Sequence, residues 1–175
     1  GLGQDAGKYC AVRGKFAFEK GEPERAEEIY LGCLESYPSH DLLVREAVSL
    51  LDDTGKIGQS NAILLKALEE RPYNRSIRIA LARRFEVIGE ITEAEALLQE
   101  ATEFEQPTLA AQALWDLAGF QMSQGRADDG IASFAKAVAQ GGDQNPDLLF
   151  AYGDALAGTP LRTCLYRRVP TDMSL

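Results

Sequence analysis

Histidine, tryptophan and methionine are nearly missing from this chain: 175 residues include one histidine, one tryptophan and two methionines. The lone histidine, His40, excludes multi-histidine metal sites and leaves any Ser-His-Asp or Cys-His scheme dependent on one residue. Hydrolase chemistry is therefore not expected, and neither a metal nor a cofactor is called for. Basic residues are also in the minority, 18 against 27 acidic, for a net charge of −9 and a pI near 4.7. A phosphate backbone would be repelled on average, so nucleic acid is not an expected partner. Long apolar runs are lacking too. The longest, around Leu148 to Tyr152, is far short of the roughly 20 residues that span a bilayer, so direct membrane insertion is not expected. Three cysteines, Cys10, Cys33 and Cys164, show no CxxC or zinc-ligand spacing and are expected as unpaired thiols, although Cys10 and Cys33 fall within one period and could lie near each other. The chain opens on Gly1 without a basic-then-apolar leader, as a processed or excised product would. A cytoplasmic location is the expectation, with a periplasmic one open if a signal peptide has been removed.

What is present is ordinary for a globular protein, 45% hydrophobic and 26% charged, and it is periodic. Pro38 and Pro72 lie 34 residues apart and Pro107 follows 35 later; a helix does not run through such positions. Between them Gly21, Gly55 and Gly89 recur at 34, with Gly125 displaced by two. The segments between these marks carry helical rather than alternating apolar periodicity, so each period reads as a helical hairpin. Pro23 suits a first helical turn, Thr92 and Glu95 have capping-box spacing, Asn145-Pro146-Asp147 reads as a cap with its first turn, and His40 beside Asp41 most simply caps a helix.

Four columns recur within this period. Gly14, Val48, Ala82 and Ala118 occupy the middle of the first helix, where all but Val48 are small. Ala26, Ser60, Ala94 and Gly130 are the small partners in the second helix. Tyr30, Leu64, Leu98 and Phe134 are large and apolar, followed by small Cys33, Ala67, Ala101 and Ala137. Small residues let two helices approach, and the large column should fill the space toward the next hairpin. With these columns the chain resembles the tetratricopeptide repeat (TPR) family. The units run 7–40, 41–74, 75–108 and 111–144, with a partial fifth at 145–158, a lead at 1–6 and an irregular tail at 159–175. The resemblance implies an all-α fold, a right-handed α-solenoid of stacked antiparallel helix hairpins. It also implies a concave groove, lined by the first helices, that holds a peptide or a partner's segment.

The register places Lys15 and Phe18 from the first unit in that groove, with Arg45 and Ser49 from the second, Arg83 and Glu86 from the third, and Trp115 and Met122 from the fourth. Lys8, Ala11, Glu19, Asp52, Asp53 and Ser123 share the same faces. The stripe Lys15, Arg45, Arg83 leading to Trp115 and Met122 suits an acidic or extended segment with an apolar anchor. The family's clamp for a C-terminal carboxylate is not reproduced: at the corresponding places stand Ala11, Lys15, Glu46, Ser76 and Ala80. Asp52 with Asp53 and Asp128 with Asp129 read as solvated acids, because adjacent helical residues diverge. The glycines form no phosphate loop.

The last helical segment carries Leu148, Leu149, Phe150, Tyr152 and Leu156 around most of its circumference, whereas a terminal repeat normally presents a polar outer face. It is expected to be covered by the tail or by further repeats, or to mediate self-association. The expected function is a protein-binding module without chemistry of its own, an adaptor, scaffold or assembly factor. The alternative is a regulatory or targeting segment of a larger enzyme or membrane-bound assembly machine.

Overall fold

The computed structural model describes residues 2–141 and 144–158, with residues 2–4 described by their backbone alone. Among the described residues there are nine α-helices and no strand: α1 (Leu2–Glu19), α2 (Pro23–Ser36), α3 (Asp41–Asp53), α4 (Ile57–Glu70), α5 (Arg75–Val87), α6 (Ile91–Glu100), α7 (Pro107–Ser123), α8 (Ala127–Ala139) and α9 (Pro146–Leu156). A 3-10 turn, Ala101–Glu103, follows α6. The fold is therefore an all-α helical repeat of the α-solenoid class. Helix α1 already begins at Leu2, inside the stretch read as a lead, and the tail from 159 onward with Cys164 lies outside the described residues.

The turn inside each hairpin is one device used four times. Gly21 has φ +79°, a conformation that costs glycine little and other residues much. There its N–H reaches the Phe18 carbonyl at 2.9 Å, while the Glu22 N–H reaches back to Ala17 at 3.0 Å. This closes the end of α1 in a Schellman motif. Gly55, Gly89 and Gly125 repeat the pattern, and in each case the residue that follows is already the N-cap of the next helix. That economy overturns the Thr92–Glu95 capping box. Glu90 is the N-cap, so Thr92 lies inside the first turn, and Glu95 instead accepts from Arg126 (2.5 Å) and Gln121 (3.2 Å).

Between hairpins the chain turns through proline. The N–H of His40 closes on the Tyr37 carbonyl, and that of Asn74 on Arg71, each turn carrying proline at its second position. His40 Nδ1 then accepts from the Leu43 N–H (3.3 Å) and Asn74 Oδ1 from the Ile77 N–H (3.2 Å). Two different side chains, 34 residues apart, thus cap successive first helices. Asn145 does the same for α9, accepting from Asp147 and Leu148.

The chain divides into two compact units between Ile77 and Arg78. In the first, α1/α2 and α3/α4 form two hairpins around Tyr30, Leu34, Leu43, Val44, Val48, Leu51, Leu64 and Leu68, all buried. Lys56 pairs with Glu27 at 2.5 Å, and Arg71 pairs with Asp41 while donating to the Ser39 carbonyl. Cys10 on α1 and Cys33 on α2 are joined in a disulfide, with Cα atoms 6.3 Å apart. This corrects the expectation of unpaired thiols at these two positions. The antiparallel packing of α1 on α2 brings together residues 23 apart in sequence, which linear spacing does not reveal.

In the second unit Leu98 packs with Ile79, Ala82, Leu117 and Phe120. Phe134 packs with Leu114, Trp115 and Ala118 of its own hairpin and with Leu148, Ala151 and Ala155 of α9. The large column does fill the space toward the next helix here. Arg78, almost wholly buried, donates to the Leu97 carbonyl (2.7 Å), pairs with Glu100 (3.2 Å) and lies over the Phe104 ring. Ser133 donates to Gln121 at 2.7 Å, which ties α8 to α7.

Candidate partner-binding groove

The groove-facing residues of the first unit meet around one hollow. Lys15, Phe18 and Glu19 stand three and four apart on α1, and Glu46, Ser49, Leu50 and Asp53 form a matching stripe on α3. Together with Tyr30 of α2 they line a cavity of about 220 Å³. Tyr30 arrives there because Gly14 has no side chain: a Cβ at Gly14 would lie 2.2 Å from the tyrosine ring. The small residue of the first helix therefore seats the tyrosine ring, whereas the column pattern pairs Gly14 with Ala26.

The electrostatics of this hollow are acidic. Three carboxylates, Glu19, Glu46 and Asp53, face one ammonium, Lys15. Arg45 stands beside Glu46, 3.6 Å from its carboxylate, and is thereby partly neutralised. Burial pushes the Tyr30 hydroxyl well above the ordinary tyrosine range, and the negative charges of Glu46 and Glu19 push it further. It stays protonated through the physiological range. In this unit the basic stripe read from Lys15 and Arg45 is outweighed, and the expected preference for an acidic segment is not supported by the charges around the cavity.

The second unit places its groove candidates differently. Trp115 is 3% exposed and packed among Leu114, Ala118 and Phe134, so the ring belongs to the core. Met122 packs over Gly130, where a Cβ would fall 2.6 Å from its Cγ. Glu86 accepts from Ser123 (3.3 Å) and Gln124 (2.7 Å), which joins α5 to α7. Arg83 is half-buried. Of the eight groove residues read from the sequence, Lys15, Phe18 and Ser49 line the cavity and Arg45 stands beside it. The four in the second unit are drawn wholly or partly into packing.

The helical repeat has a counterpart among known families: the tetratricopeptide repeat family model matches residues 7–40, the first hairpin with its disulfide and its half of the cavity. Residues 7–40 are thus similar to one tetratricopeptide repeat. Among solved structures it is similar to a thermophilic TPR protein of Thermus thermophilus, at 18% identity and a TM-score of 0.45, covering 87% of this chain and 100% of that one. It is also similar to a MamA RS-1 ArsTM double mutant, at 17% identity and a TM-score of 0.49, covering 88% of this chain and 85% of that one. No curated protein matches. TPR proteins are in general non-catalytic and typically bind other proteins or peptides. Among the described residues no helix is long and apolar enough to cross a membrane.

The apolar residues of α9 divide into two sets. Leu148 is buried and Tyr152 packs against the Phe134 ring at 6.4 Å, so neither is a free surface residue. Leu149, Phe150 and Leu156 are exposed. Sequence reasoning missed Tyr30 as a cavity residue because its column is otherwise Leu64, Leu98 and Phe134, all core. The signal was there: Tyr30 is the one member of that column with a polar tip, and a buried tyrosine hydroxyl needs somewhere to point.

Proposed function

We propose that this chain is a tetratricopeptide repeat protein that serves as a non-catalytic interaction module, an adaptor, scaffold or assembly factor. It holds an extended segment of another protein against the first helices of its hairpins, with α1 and α3 as the working face. The observation that carries this reading is the cavity between them. Every column that packs the hairpins is filled, yet the face carrying Lys15, Phe18, Ser49 and Asp53 remains hollow and polar. A peptide selection against the folded chain tests it. Selected peptides should slow backbone hydrogen exchange in α1 and α3; failure to select any peptide, or protection confined to α2 and α4, would defeat it.

Self-association through α9 is a second reading, favoured by the exposed Leu149, Phe150 and Leu156. Leu149→Glu should then reduce the mass in light scattering, and an unchanged mass removes the idea. The Cys10–Cys33 disulfide supports an oxidising working compartment in place of the cytoplasm, because such bonds persist there.

A further inference from the structure

We infer that the cavity between α1 and α3 receives a single basic side chain, an arginine or a lysine, from the partner's segment. This rests on the reading of that face as the binding surface and adds the chemistry of what enters it. Charge is the first ground. Glu19, Glu46 and Asp53 outnumber Lys15 on the cavity wall, and they outnumber the cations even when Arg45, beside Glu46, is counted. An acidic side chain would meet repulsion there, whereas a cation would gain charge-assisted hydrogen bonds.

The second ground is independent of the carboxylates. Tyr30 is 3% exposed, it lines the cavity, and its hydroxyl makes no hydrogen bond among the described residues. The hydroxyl oxygen is not among the buried unpartnered polar atoms, so this otherwise buried side chain presents its one polar atom where an incoming donor can reach it. Because it is held in the protonated form, its lone pairs can accept from a guanidinium or ammonium N–H while its proton turns toward a neighbouring carboxylate.

Size and shape narrow the occupant further. About 220 Å³ falls below the roughly 300–1,000 Å³ of pockets that hold drug-sized molecules, and suits one side chain. Phe18 and Leu50 offer apolar surface for an aliphatic stem, and the exposed Phe18 ring offers a face to a guanidinium. Among the described residues no group of three or more histidine, cysteine or carboxylate side chains is placed to hold a metal ion. The carboxylates are thus spread too widely for a single ion, and a forked or flexible cationic side chain matches them better.

The test uses the full chain and a fluorescein-labelled Gly-Ser peptide carrying two arginines, with lysine and glutamate versions of the same length, read by fluorescence anisotropy. The arginine and lysine peptides should bind and the glutamate peptide should not. Neutralising the cavity with Glu46→Gln and Asp53→Asn should weaken arginine-peptide binding by about tenfold. Glu35→Gln with Glu69→Gln changes the net charge equally at exposed positions outside the cavity and should leave binding unchanged. Tyr30→Phe, which keeps the ring over Gly14, should weaken binding by a smaller factor, and circular dichroism checks that each variant is folded. Equal weakening by the two charge pairs would show bulk attraction to an acidic protein and overturn the inference. So would an unchanged affinity in the cavity pair, or a glutamate peptide that binds as well. If the arginine peptide fails while selected peptides still protect α1 and α3, this inference falls alone; if no peptide can be selected, the interaction-module reading falls with it.

Discussion

Hairpin α1/α2 and hairpin α7/α8 are built on the same columns and solve the same packing problem by opposite means. In the first, a disulfide joins the helices, Gly14 admits a tyrosine ring, and much of α1 is exposed, Tyr9, Val12 and Phe16 included. In the second, α7 is buried over most of its length. Phe134 and Trp115 share a core with α9, and a flexible methionine closes over Gly130. The difference shows that one repeat pattern allows two uses of the first helix. Where neighbouring side chains fill the inner face it becomes core; where they leave it hollow and charged it becomes a surface that can be occupied.

The comparison can be broken most decisively at the shared large column. Phe134→Ala should cost about 3–5 kcal/mol, because a fully buried ring with neighbours from three helices leaves a cavity that cannot collapse. Tyr30→Phe at the equivalent position should change stability by well under that, since it removes only a hydroxyl that has no protein partner. Urea midpoints of the two variants measure this, and equal losses would mean that the hairpins are not distinguished as described. Next in size, reducing the Cys10–Cys33 bond or replacing Cys33 by serine should cost about 2–4 kcal/mol, the amount expected from freeing a loop of this length in the unfolded chain. A midpoint insensitive to reductant would refute it.

A smaller contrast sharpens the glycine contacts. Gly14→Ala places a Cβ 2.2 Å from the Tyr30 ring and should destabilise by about 1–3 kcal/mol. Gly130→Ala meets chiefly Met122, which can swing aside, and the gain in helix propensity of about 1 kcal/mol offsets much of the remaining strain against the Ala118 carbonyl. Thermal melts should therefore rank Gly14→Ala well below Gly130→Ala. The smallest effect at neutral pH is the ionisation of Tyr30. Its folded pKa lies above the ordinary tyrosine value of about 10, so its contribution to stability is complete below that pH and declines as pH rises past it. Urea midpoints between about pH 9 and pH 11 should fall more steeply for the parent chain than for Tyr30→Phe. Parallel curves would show that the hydroxyl is not held as described.

How much of this was legible beforehand differs by level. The positive-φ turns at Gly21, Gly55, Gly89 and Gly125, the small and large columns, and the caps at His40 and Asn145 all follow from local chemistry that repeats along the chain. Local chemistry misplaced the cap of α6, where Thr92 and Glu95 have the right spacing but the preceding turn has already committed Glu90. The cavity was half legible. Lys15, Phe18 and Ser49 line one cavity, whereas Trp115 is buried and Met122 packs over Gly130. Which residues share a face follows from helical geometry, but whether a face is left open depends on the bulk of its neighbours.

The sequence by itself determined the hairpins, their period and their core columns, because backbone turn geometry and helical periodicity are short-range properties that each residue type carries with it. Only the tertiary structure decided that Cys10 meets Cys33, that Tyr30 lines a cavity while Trp115 is buried, and that three carboxylates converge on that cavity. Those are distances between residues on different helices. They depend on how helices distant in sequence pack, with the Tyr30 ring seated over Gly14, and no spacing along one chain encodes that packing.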